Sequence, residues 1–118
     1  MDLYGSTKPA LGTNNSLSCS QAAQAGCAYE DDIFTNFTVA QIAANPPGKP
    51  LFLYFAPHNC HQPLEVPTAQ AAKFAFINDS DSRQYYSAMV NMVDAHIGQV
   101  VDAFKAKGLW ENTLMGAQ

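Results

Sequence analysis

Apolar side chains recur at three- and four-residue steps through Tyr85, Met89, Met92, Val93, Ile97, Val100, Val101 and Phe104. That spacing lays one apolar stripe along a helix over about residues 81–107. Ser80 or Asp81 can cap its start, Lys105 and Lys107 suit the negative end of its dipole, and Gly108 suits a left-handed stop. Gly98 is the one glycine inside the pattern. A mid-helix glycine costs roughly 1 kcal/mol against alanine, so a close backbone contact is expected on its face. A second helical period runs over residues 33–44, where Ile33, Phe34, Phe37, Ala40, Ile42 and Ala43 lean to one side; Thr35 is a candidate N-cap, and NPPGKP ends the segment.

Between these helices the run LFLYF at residues 51–55 is apolar without interruption and follows a Pro and Gly cluster. It predicts a strand covered on both faces in a mainly parallel sheet. Residues from Thr68 onward predict a short helical piece that INDSDS breaks, and NTLMGAQ, residues 112–118, reads as the start of another strand. Strand, long helix, strand is the right-handed crossover unit of an α/β protein. Residues 1–30 show no sustained period and read as a loop-rich segment, with a Cys19–Cys27 bridge as one way to tie it.

With 118 residues there is room for one domain. A net charge of −4 and six scattered Lys and Arg exclude the basic stripe that nucleic-acid binding needs. No run of about 18 apolar residues is present, so no membrane span is expected, and MDLYGSTKPALG lacks the basic-then-apolar order of a signal peptide. Cys19, Cys27 and Cys60 form an odd set that fits neither a closed disulfide framework nor a zinc ribbon. Sequons at Asn14, Asn36 and Asn78 would accept glycans in a secretory compartment.

Chemistry concentrates just past the apolar run, where HNCH brings His58, Cys60 and His61 together. In open α/β sheets, ligand and catalytic groups gather beyond the carboxyl ends of strands. His61 precedes QPLEVP, an extended and stiff stretch that favours a positioned donor. A histidine in such a loop also serves simply to bond nearby carbonyls, and both roles stay open for His58 and His61. HNCH offers three transition-metal ligands, yet its spacing matches no closed zinc pattern and no fourth ligand is evident. His96, between Met92 and Val100, reads as a partly buried packing histidine with one satisfied nitrogen. Asp94 fits either a cap or bond to a neighbouring loop, or a solvated carboxylate. The EDD run at residues 30–32 reads as a solvated helix-start cluster, with cation binding as the other possibility. No G-x-S-x-G elbow, P-loop or G-x-G-x-x-G is present.

KPLFLYFAPHNCHQPLEVP followed by YYSAMVNMVDAHIGQVVDAFKAKGLWENT resembles the middle of a sulfatase catalytic domain, most closely the arylsulfatase B group. DIFTNFTVAQIAANPPGKP resembles the helix before the same strand. The resemblance covers about residues 29–114, and its ordered series of strand, H-x-P-L-x-V-P loop and G-L-W-x-N-T turn is specific. It implies a partial alkaline-phosphatase-like α/β fold, with residues 31–118 as part of the catalytic domain. It also implies sulfate-ester cleavage by a formylglycine, made from cysteine or serine, together with a calcium ion. By the motif, His61 matches the histidine that contacts the sulfate group or the leaving oxygen. His58 and Cys60 match no functional position.

The departures from the family pattern are as informative. No C-x-P-S-R or S-x-P-S-R nucleophile motif is present: Cys19 is followed by SQAA, Cys27 by AYED and Cys60 by HQPL. The calcium-binding aspartate pair is missing, and LMGAQ stands where D-N-G would follow GLWENT. The chain is therefore expected to be an internal piece of such an enzyme, inactive alone and completed by the rest of the sulfatase domain, with a lysosomal or secreted parent. The competing expectation is a catalytically dead module that binds a partner or a sulfated glycan through His61.

Overall fold

The structure, a computed structural model, describes residues 29–62 and 64–116. The loop-rich segment, the Cys19–Cys27 bridge and the Asn14 sequon lie outside the described residues. Helix α1 spans Glu30–Ala44, α2 spans Thr68–Ala72, α3 spans Asp81–Ala106, and a 3-10 turn covers Trp110–Asn112.

Helix α3 is the long helix that the apolar period predicts, and its ends follow the sequence signals. Ser80 is the N-cap, its Oγ accepting the Arg83 N–H at 3.3 Å. Gly108 adopts φ +72, with its N–H bonded to the Lys105 carbonyl at 2.9 Å and Leu109 N–H bonded to the Phe104 carbonyl at 3.0 Å. That pair is a Schellman closure, and Leu109 packs back on the Phe104 cluster as such closures usually require. The buried positions of the helix are Ala88, Met89, Met92, His96, Val100 and Phe104. Tyr85 and Ile97, expected on the stripe, lie at its exposed edge. The close contact expected at Gly98 is absent among the described residues: a Cβ there would meet none of them within 4 Å.

Helix α1 begins earlier than its apolar period suggested. Tyr29 is its N-cap, and Glu30, Asp31 and Asp32 fill the first turn, where carboxylates meet the positive end of the dipole. Thr35 is thus a buried residue within α1, its hydroxyl donating to the Asp31 carbonyl at 2.7 Å. The buried stripe is Asp31, Thr35, Thr38 and Ile42, while Phe37 of the expected face is 39% exposed. The helix was legible and its rotation was not, because contacts with α3 and with residues 51–58 decide which side is covered. After Asn45 the chain reverses through a turn closed by Lys49 N–H on the Pro46 carbonyl, with Gly48 at φ +73. Lys107 Nζ donates to the Ala43 carbonyl at 2.6 Å, tying the carboxyl ends of α1 and α3 together.

Residues 51–58 run extended, and burial alternates along them: Leu51, Leu53 and Phe55 pack on Ile42, Val100 and Phe104. Phe52 and Tyr54 point the other way, 92% and 82% exposed. The expected strand with two covered faces is therefore an extended segment with one covered face, and the described residues contain no strand ladder. Residues 113–116, expected to open a second strand, form no regular element and have no strand partner within the described residues; Thr113 is extended at φ −118 and ψ 129. A strand needs partners for its backbone groups, and no described segment lies alongside to supply them. The strand–helix–strand crossover thus reduces here to an extended segment, a helix and an irregular tail. A second cluster, Val66, Ala71, Ala88, Met89 and Met92, packs α2 on the amino half of α3 with Tyr29, Cys60, Leu64 and Phe74 around it. Gln84 Nε2 donates to the Ala71 carbonyl at 3.0 Å across this joint.

Candidate functional site

The two clusters flank the loop that carries HNCHQ. Residues 51–55 deliver it from one side, and Leu64 and Val66 anchor its exit in the other cluster. Cys60 takes φ +71, a left-handed conformation uncommon for a side chain with a Cβ, and so turns the loop tightly. Its thiol is free, and burial, then the nearby Asp31 carboxylate, push its pKa up. That keeps it protonated and a poor nucleophile.

His61 stands exposed at the outside of this turn. Its Nδ1 lies 2.7 Å from the Gln62 carbonyl, which can only accept, so Nδ1 carries the hydrogen. Nε2 has no protein partner among the described residues and is the nitrogen left for a ligand. His58 behaves differently. Its ring Nδ1 faces Glu30 Oε2 at 3.2 Å, its edge meets Phe34 at 5.5 Å between centroids, and its backbone N–H donates to Asp31 Oδ1 at 2.9 Å. Asn59 pairs with the Tyr29 hydroxyl, which also reaches the Glu65 carbonyl at 3.0 Å. The Tyr29 pKa is pushed up to about 12, by burial first and Asp31 next.

The sequence-level candidates are thus separated by role. His58 bonds α1 and His61 does not, so HNCH does not converge on one point. No group of three or more His, Cys, Asp or Glu among the described residues is placed to hold a metal ion. His96 is 3% exposed, with Nε2 at 2.8 Å from Asp32 Oδ1 and Nδ1 without a partner, the packing histidine with one satisfied nitrogen that its place in α3 suggested. Asp94 is exposed. The EDD run is a helix-start cluster that is solvated only in part: Glu30 and Asp32 are about half open to water, Asp31 is 2% exposed, and all three carboxylates have partners outside α1. Sequence reasoning missed Tyr29, and reached Asp31 only as one member of the EDD run without its contact to residue 58. The one available signal was the step from Asp31 to Thr35, Thr38 and Ile42, which puts a carboxylate in line with a narrow stripe of β-branched residues.

A family model described as Sulfatase matches residues 4–116. The chain belongs to the sulfatase family. Among curated relatives, Arylsulfatase J of Mus musculus is 31% identical over 87 residues, 74% of this chain. This sulfatase chain spans 14% of that relative's length. Family membership brings an expectation of calcium. The described residues do not fit such an ion, because Asp31 and Asp32 are engaged by the His58 backbone and the His96 ring and do not converge. No helix among the described residues is long and apolar enough to cross a membrane.

Proposed function

We propose that this chain is a stretch of the catalytic domain of a sulfuric ester hydrolase of the arylsulfatase kind, in which His61 meets the sulfate group or the leaving oxygen. The supporting observation is the state of that ring: Nδ1–H is held by the Gln62 carbonyl, and the side chain is exposed with Nε2 unengaged. A protonated Nε2 can donate to a sulfate oxygen, or hand its proton to the leaving oxygen as the bond to sulfur breaks. Cys60 plays no such part, since HQPL follows it rather than x-P-S-R.

Formylglycine and calcium chemistry belongs to residues outside this sequence, and hydrolysis by the 118 residues alone is not expected. Membership in the family and the exposed sequon asparagines Asn36 and Asn78 support a lysosomal or secreted parent. A chromogenic aryl sulfate, assayed with this chain and with a version extended in both directions, tests the proposal. Turnover is expected only in the extended protein, and His61→Ala should lower it by about 10²-fold or more, the usual range for a general acid or base. Turnover indifferent to His61 would refute the role. Binding of a sulfated glycan without turnover in the extended protein would favour the dead-module alternative.

A further inference from the structure

The first turn of α1 reaches three places in the rest of the chain. Glu30 meets the His58 ring at 3.2 Å, Asp31 accepts the His58 N–H at 2.9 Å, and Asp32 meets His96 of α3 at 2.8 Å. These contacts are not equivalent. The Glu30–His58 pair is open to water, at 45% and 69% side-chain exposure, and contributes little. Asp31 is 2% exposed, and a buried carboxylate persists only where donors satisfy it. The donor it takes is a backbone N–H at the residue where the extended segment gives way to the loop.

A backbone bond at that point fixes more than His58. The chain direction at residue 58 is set, Cys60 turns it at φ +71, and the Tyr29 hydroxyl, one residue before α1, holds Asn59 and the Glu65 carbonyl. The loop is thus held before and after His61 by neighbouring residues of one helix start, while Asp32 refers that start to α3. His61 itself touches none of them. We propose that Asp31 is a positioning residue for His61: its carboxylate latches the start of the 58–62 loop to α1 and so decides where the imidazole is presented. The functional consequence rests on the proposed role of His61, whereas the latch does not.

Amide hydrogen exchange and ring ¹⁵N spectra of the 118-residue chain test it, with Asp31→Ala and Asp31→Asn side by side. In Asp31→Ala, exchange at residues 58–62 should quicken about 10-fold or more, since a bond to a charged acceptor is lost. The His61 ring should also lose its Nδ1–H preference, while the Val100 amide in α3 is unchanged. Asp31→Asn keeps an acceptor oxygen and should stay within about threefold of the native chain. Unchanged exchange in Asp31→Ala overturns the latch, as does an unprotected His58 amide in the native chain. Equal damage from Asn and Ala overturns it too, because helix-end charge rather than the acceptor would then be responsible. Loss of protection at Val100 as well would reduce Asp31 to a general structural role and also count against it. Titration with inorganic sulfate, followed at the His61 ring, separates the two proposals: a ring indifferent to sulfate in a chain with a normal latch counts against the role of His61 alone.

Discussion

Asp32→Ala removes the one partner, among the described residues, of a histidine that has almost no access to water. His96 is 3% exposed, its Nδ1 has no partner, and Nε2 depends on Asp32 Oδ1 at 2.8 Å. Because a carboxylate only accepts, Nε2 carries the hydrogen, and the substitution leaves both ring nitrogens unsatisfied. A buried polar group stranded in this way costs about 1–3 kcal/mol. Loss of a first-turn carboxylate adds about 0.3–1 kcal/mol. Asp32 is itself 50% exposed, so water can enter the vacated position and the low end of the first range applies. The expected destabilisation is about 1.5 kcal/mol. Urea unfolding followed by the fluorescence of Trp110, the single tryptophan, reads it, since that ring packs on the Val100–Phe104 cluster. His96→Leu in the same background replaces an unsatisfied ring with an apolar side chain, and should recover about 1 kcal/mol or more as a coupling between the two positions. A loss below about 0.5 kcal/mol, or a double variant no more stable than Asp32→Ala, would refute the view that this buried ring depends on Asp32.

Gly98→Ala should stabilise the chain by about 0.5–1 kcal/mol, because no described residue comes within 4 Å of the new Cβ in a helix interior; a lower urea midpoint would show a further contact. Phe52 and Tyr54, both more than four-fifths exposed, form a bare aromatic face through which the chain is expected to self-associate; Phe52→Ser with Tyr54→Ser should reduce that association in sedimentation velocity and leave the urea midpoint in place, and a fall in the midpoint would mean that the chain covers that face itself. Tyr29 links stability to alkaline pH. Its hydroxyl ionises near 10.0 when unfolded and near 12 when folded, so its contribution is fully present below pH 10 and is lost as pH rises through about 12. The stability advantage of the native chain over Tyr29→Phe should therefore shrink across that window, and a constant difference would contradict the burial of that hydroxyl.

What the sequence determined alone was local. The long helix, its Ser80 cap, its Gly108 closure and the short helix at Thr68 follow from periodicity and from end signals that act within a turn of themselves. The sulfatase family and the candidacy of His61 were also legible, because a short ordered motif carries them. Tertiary structure decided the rest. It chose which face of α1 is buried and left Phe52 and Tyr54 bare where two covered faces were expected. It also buried Asp31 within a run expected to be a solvated helix start and brought its three carboxylates to His58 and His96. Local signals are blind to these outcomes, since a helix start favours carboxylates whether or not a distant N–H comes to meet them, and only packing determines what arrives there.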